Sequence, residues 1–375
     1  MRDGSEPAKF LPALESLRGI AALTVALYHI SWRSHFSSWG FVRNGYLMVD
    51  FFFILSGFVI CHSYGRRMAR LPDLGRFLFA RFGRLYPLHL ATLLGFLVIE
   101  IAKWAVVRFH VVQIASAPFA ANDVGSFVAS LLLIQGLGMY REPSWNGSSW
   151  SISVEFWIYV LFGGLVVAAR RFSGGAAWKM VQAGAAMLAL FGLAMAWRTE
   201  GALTATGRFA IFRGLLGFFS GVLLWQVYAA LRNLKTERRE LALALAGVGL
   251  VTVLFLSLKS PGPSDFICAV LFAAVILLAA LGEGDPPRLM RDRRLLMLGA
   301  FSYSIYMVHP LILWGFEFGL QYVLRLRREG VYLTNPWMGD LLALLYVAMV
   351  LAAARVTFWR IEEPGRLWAK RIAAK

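Results

Sequence analysis

Charge is scarce in this chain, and cysteine is almost absent. Only 16% of its 375 residues are charged and 59% are hydrophobic, against about 25% and about 45–50% in a soluble domain. That balance excludes a disordered chain, an ordinary cytosolic enzyme and a nucleic-acid-binding domain. The only cysteines, Cys61 and Cys268, both sit in apolar runs, so no disulfide framework is expected. No glycine-rich phosphate loop, nucleophile elbow or zinc motif occurs, and His35, His62, His89 and His110 show no metal-ligand spacing. No metal is therefore expected. Acids are few, with 21 Asp+Glu against 38 Lys+Arg and a net charge of +17. In a polytopic membrane protein such an excess marks cytoplasmic loops. The first apolar run passes Arg18 and His29 without a small-residue cleavage site, which predicts a retained span rather than a signal peptide.

What is there is a series of apolar runs near 11–32, 44–65, 86–107, 124–140, 149–169, 180–197, 209–231, 241–258, 266–282, 296–318 and 338–358. Lys/Arg cluster between them, at Arg66, Arg67, Arg70, Arg76, Arg81 and Arg84, at Arg170, Arg171 and Lys179, and within 232–240, 286–294 and 359–375. If these stretches are cytoplasmic, spans must come in pairs between them. Only the interval from 84 to 170 holds three runs. The residues 124–169, interrupted by Arg141-Glu-Pro-Ser-Trp-Asn-Gly-Ser-Ser-Trp150, are therefore read as one broken or re-entrant crossing. Irregular backbone at that depth must be buried in protein or line a wet cavity. The expectation is an all-α membrane protein of about ten transmembrane helices, with both termini cytoplasmic. It forms a single domain over 1–375 with no soluble domain appended. Arg325, Arg327 and Arg328 would fall outside, against the charge bias.

Charges inside apolar runs cost roughly 2.5–3.5 kcal/mol each at the bilayer centre, so they carry the most information. Arg18 and His29 are eleven residues apart, about 20° in rotation and about 16 Å along a helix, with Glu15 placed to pair with Arg18. Asp50 sits beside three Phe and needs a partner. Ser56-Gly57 suits close helix packing. Arg81 and Arg84 share a helix face, with Pro87 in the first turn of the next span, and two guanidinium forks suit phosphate. Glu155 follows Trp150 and Ser151 at the head of an apolar run. Tyr303, Tyr306 and His309 recur at three-residue spacing, and Pro310 should weaken the helix there. Glu100 and Lys103 read as a structural pair. The acid found five residues after the histidine of soluble acyltransferases is missing, since Ser34 stands there.

Taken in order, Arg18 with His29, Gly45…Val49-Asp50-Phe-Phe-Phe-Ile-Leu-Ser-Gly-Phe, Arg81-Phe-Gly-Arg84, Trp150-Ser-Ile-Ser-Val-Glu155, Ser302-Tyr-Ser-Ile-Tyr-Met-Val-His309-Pro310 and Ile361-Glu362-Glu-Pro364 resemble the acyltransferase family 3 membrane proteins. The resemblance implies a multi-pass enzyme of the bacterial cytoplasmic (inner) membrane. It would move an acyl group, often acetyl, from cytoplasmic acyl-CoA to a hydroxyl of an extracytoplasmic carbohydrate or glycolipid. By resemblance His29 is catalytic, Arg18 accompanies it, and Arg81 and Arg84 form the arginine pair. His29 would act as general base, with Asp50 or Glu155 fixing its tautomer, or would carry the acyl group itself. Arg18, Arg81 and Arg84 would hold the coenzyme A phosphates, with Trp150, Ser151, Tyr303 and His309 in supporting positions. Backbone groups near Gly147–Trp150 are the expected oxyanion donors. The alternative reading is a transporter or flippase for a polar glycolipid, which would share the spans and the broken helix.

Overall fold

The structure, a computed structural model, describes residues 11–65, 68–109, 117–170, 172, 175–233, 237–282, 288–323 and 335–374. Arg66, Arg67, His110, Arg171, Arg325, Arg327 and Arg328 lie outside the described residues. Every regular element among those described is helical: α1 (Pro12–Tyr28), α2 (His35–Ser38), α3 (Gly40–Arg43), α4 (Met48–Tyr64), α5 (Leu71–Arg108), α6 (Val124–Leu131), α7 (Trp150–Ala169), α8 (Gly175–Thr199), α9 (Ala210–Leu231), α10 (Arg238–Leu258), α11 (Asp265–Leu281), α12 (Arg293–Ala300), α13 (Ser302–Phe318), α14 (Pro336–Thr357) and α15 (Glu363–Ala373).

Seven stretches are long and apolar enough to cross a bilayer: Gly45–Tyr64, Leu71–Arg108, Gly147–Ala169, Gly175–Thr199, Ala210–Leu231, Arg239–Leu258 and Pro336–Ala373. An eighth arises if α12 and α13, bent by 66°, act as one span. α1 and α11, at 17 residues each, are shorter. Among the described residues, length and composition therefore yield up to eight spans, short of the ten expected.

The interruption after residue 131 is present. α6 ends at Leu131, and no helix forms again until the single turn Gly147–Ser149 that leads into α7. Leu133 and Trp145 take left-handed φ values of 54° and 55°. The irregular backbone is bonded inside the protein. Ser153 Oγ and Trp157 Nε1 both donate to the Leu133 carbonyl, at 2.6 and 2.8 Å, and Asn146 Nδ2 donates to the Met307 carbonyl at 3.0 Å. Glu100, paired with Lys103 at 2.8 Å, also accepts from the Phe119 amide at 2.7 Å and so ties down the approach to α6.

One expectation fails at Pro87. It does not begin a span but sits inside α5, which runs unbroken for 38 residues, about 57 Å at 1.5 Å rise against a core of about 30 Å. The arginine-rich turn is thus the overhanging end of a span rather than a loop. A proline cannot donate to the carbonyl four residues earlier, here that of Gly83, and α15 packs on this spot. A Cβ on Gly365 would lie 2.7 Å from Pro87 Cγ and 3.0 Å from the Gly83 oxygen, and one on Gly83 would lie 2.1 Å from the Ala369 Cβ. Gly83, in the middle of the Arg81-Phe-Gly-Arg84 motif, is where α15 meets α5. Gly57 shows the close packing expected of it, since a Cβ there would come within 1.9 Å of the Phe218 carbonyl oxygen on α9.

Candidate active site

α1, α4, α5, α7 and α13 surround a cavity of about 190 Å³. Arg18 from α1 and Arg81 and Arg84 from α5 line it, so the three arginines expected to act together are brought together. Ser56, Val59 and Ile60 of α4, Ser151, Glu155 and Tyr159 of α7, and Tyr303 and Tyr306 of α13 complete the wall. Glu155 accepts from Ser56 Oγ at 2.6 Å and from the Tyr159 hydroxyl at 2.5 Å. Arg18 pairs with Glu15 at 3.4 Å. Arg81 donates to the Tyr64 hydroxyl at 3.0 Å and stacks over that ring at 5.1 Å. Among the described residues Arg84 makes no side-chain hydrogen bond, although the buried Glu362 carboxylate is its foremost charge partner, and it faces the cavity. Ser56 escaped the sequence reading, which gave it to helix packing. Glu362, in a widened π-turn at Phe358–Glu362, is buried and accepts from Ser304 Oγ at 2.7 Å. Such turns recur where a helix must re-aim a functional side chain.

The two histidines meet on the other side of Tyr306. His29 closes α1 as its C-cap and is exposed. Its Nδ1 lies 2.8 Å from the Val25 carbonyl, one of the carbonyls a helix end leaves without an amide. A carbonyl only accepts, so Nδ1 carries the proton and Nε2 presents a lone pair. His309 repeats the device in the core. Pro310 strips the Tyr306 carbonyl of its amide partner, and His309 Nδ1 supplies the bond at 2.7 Å. α13 therefore continues through Pro310 instead of weakening there. The two imidazoles stand 4.8 Å apart. His309 Nε2 faces Ser148 Oγ at 3.5 Å, and its ring is 5.8 Å from that of Tyr306. The Tyr346 hydroxyl donates to both Ala26 and His309 carbonyls, at 3.4 and 3.3 Å, tying α1 to α13 behind the pair.

Neither acid expected to orient His29 touches it. Asp50 is held by Arg213, Nε to Oδ1 at 3.2 Å and Nη2 to Oδ2 at 2.7 Å, and both residues are buried. The same guanidinium reaches the Ala205 carbonyl at 2.8 Å and lies over the Trp150 ring at 5.2 Å. Trp150 thus packs on the ion pair and is not on the cavity wall. Glu155 belongs to the arginine cavity. A main-chain carbonyl does the orienting instead. Arg213 was missed by sequence reasoning, although a single arginine in the apolar run 209–231 was the signal. A second buried pair, Lys259 with Asp265 at 2.5 Å, closes a network through the Tyr46 hydroxyl. Tyr303 donates to the Leu85 carbonyl at 2.5 Å.

The chain is similar to several known proteins. The acyltransferase MdmB of Streptomyces mycarofaciens is 27% identical over 94% of this chain and 91% of its own length. The peptidoglycan O-acetyltransferase OatA of Listeria monocytogenes is 22% identical over 96% of this chain and 56% of its own length. A protein from the picA locus of Rhizobium radiobacter shares 42% identity over 24% of this chain and 44% of its own. No solved structure matches. The acyltransferase domain of one family matches residues 11–359, and with that span the chain belongs to the acyltransferase family 3.

Proposed function

We propose that this protein is an integral membrane O-acyltransferase. It moves an acyl group, acetyl in the simplest case, from cytoplasmic acyl-CoA to a hydroxyl of an extracytoplasmic or lipid-linked carbohydrate. The observation that carries this reading is the division of the site. Three arginines line one cavity, and beyond Tyr306 stands an exposed histidine whose Nε2 has no hydrogen-bond partner among the described residues. Guanidinium groups suit the phosphates of the donor. The name of one relative, a peptidoglycan O-acetyltransferase, supports a carbohydrate acceptor.

Nε2 of His29 takes the proton of the acceptor hydroxyl as that oxygen attacks the thioester carbonyl. The same nitrogen would be the attacking atom if the histidine carries the acyl group. The Lys/Arg distribution supports a cytoplasmic position for the arginine-rich end of the bundle. Counting α1 and α11 with the eight longer spans makes ten crossings, both termini inside, in the inner membrane of a bacterium.

Purified protein given acetyl-CoA is expected to release the free thiol, and His29→Ala to lower that rate by about 10²–10⁴-fold with acetyl-CoA binding retained. Near-normal turnover in a folded His29→Ala protein would overturn the role of this residue. No thiol release from the parent protein with any acyl-CoA would overturn the donor.

A further inference from the structure

Attack on a thioester builds negative charge on the carbonyl oxygen, and the site must supply donors for it. Of the backbone amides expected to act at Gly147–Trp150, two are already engaged. That of Ser149 donates to the Asn146 carbonyl at 2.9 Å and that of Trp150 to the Gly147 carbonyl. Two hydroxyls stand nearby instead. Tyr306 and Ser151 line the arginine cavity although each is more than nine-tenths buried, at 6% and 5% exposure. Their oxygens are 2.8 Å apart, and both converge on the Ser148 carbonyl, at 2.9 and 3.2 Å. His309 adjoins the Tyr306 ring, and His29 adjoins His309. Tyr306 thus borders both the arginine cavity and the histidine pair. Tyr303, one turn earlier, also lines the cavity, but its hydroxyl is engaged by Leu85.

We propose that Tyr306 and Ser151 are catalytic residues that form the oxyanion hole, exchanging the Ser148 carbonyl for the thioester oxygen when the donor arrives. The assignment rests on the acyl-CoA reading above. In the step, the acceptor O–H passes its proton to His29 Nε2 while its oxygen bonds to the acyl carbon. The carbonyl π pair moves onto oxygen and is held by the two O–H groups. Collapse restores C=O, breaks C–S, and the departing thiolate takes the proton from His29. The Ser148 carbonyl keeps both hydroxyls aimed at one point while the cavity is empty of donor.

The test compares thiol release from acetyl-CoA, with water as acceptor, and acetyl-CoA affinity in the parent, Tyr306→Phe and Ser151→Ala proteins. Removing one oxyanion donor costs about 10²–10³-fold in kcat in other enzymes. Tyr306→Phe is expected to lose that much and Ser151→Ala at least about tenfold, with donor affinity unchanged within about twofold. Turnover that is unchanged or raised in Tyr306→Phe overturns the proposal, and a rise would make the tyrosine a mere partition. A loss of affinity equal to the loss of turnover overturns it as well. If Tyr306→Phe fails to fold, Ser151→Ala decides, and full activity there is fatal. A parent protein that releases no thiol defeats the acyl-CoA reading itself, whereas an active parent with active variants defeats only the oxyanion assignment.

Discussion

Asp50 and Arg213 hold each other through two hydrogen bonds, and two further arginine donors reach the Ala205 and Tyr46 carbonyls. With its partners filled, this pair has little to offer a substrate. Breaking a buried pair by deleting one member costs about 3–5 kcal/mol. Asp50→Ala is therefore expected to lower thermal stability in detergent by that order, with Asp50→Ala/Arg213→Met recovering part of it. A single variant as stable as the parent but devoid of turnover would instead place Asp50 in the chemistry. Arg84 is the opposite case, a cavity arginine without a side-chain hydrogen bond among the described residues. Charge-assisted contacts contribute roughly 1.5–3 kcal/mol, so Arg84→Ala should weaken acetyl-CoA binding about ten- to a hundred-fold, with some loss of stability because the buried Glu362 carboxylate loses its foremost charge partner. Calorimetric titration reads this directly, and unchanged affinity would return Arg84 to the general cytoplasmic charge bias. The cost of a charge in an apolar run made Asp50 legible from sequence. Its partner, 163 residues away, was not, because pairing across helices leaves no local pattern.

At the scale of elements, the Arg81 and Arg84 register depends on how α5 meets α15. The expected start of a span at Pro87 followed from the preference of proline for the first helical turn. Pro87 is instead tolerated in the helix interior, where Gly365 and Ala369 of α15 cover the turn it disrupts, and only tertiary packing could reveal that. The break after α6 was legible only in part, since Pro, Asn, Gly and Ser within 141–149 mark its second half, whereas the helix already ends at Leu131, inside the apolar run 124–140. Gly83 gives the α5–α15 contact a test. A Cβ there collides with Ala369, and overpacking of this kind costs about 1–3 kcal/mol. Gly83→Val is expected to lower thermal stability by that order and to weaken acetyl-CoA binding by displacing the two arginines. His29 and its Val25 bond, on α1, should be untouched. If Gly83→Val binds acetyl-CoA as the parent does, the contact does not set the arginine register.

Across the whole molecule, hydrogen bonds between distant turns sort the helix ends into two sets. Asn44 reaches the Lys259 carbonyl at 3.2 Å, which joins the turn before α4 to the turn after α10. Ser16 reaches the Met290 carbonyl at 2.8 Å, and Arg170 reaches the Met68 carbonyl at 3.2 Å, which joins turns of the opposite set. These three links are compatible with the ten alternating crossings proposed, whereas length and composition support up to eight among the described residues. Parity of basic stretches and helix length differ over α1 and α11, the two 17-residue helices. The remaining question is which set faces the cytoplasm. Cys61 and Cys268 are buried, so the native protein has little background reactivity towards a membrane-impermeant maleimide. Arg70→Cys and Arg293→Cys, at exposed positions of the arginine-rich set, are expected to label only when the inner face is opened. Trp39→Cys and Pro261→Cys, exposed in the other set, are expected to label in intact cells. Labelling of Arg70→Cys from outside would invert the scheme and put the arginine cavity on the wrong side for a cytoplasmic donor. Labelling of Trp39→Cys and Pro261→Cys from different sides would remove α1 or α11 from the count of crossings and leave the site without its division across the membrane.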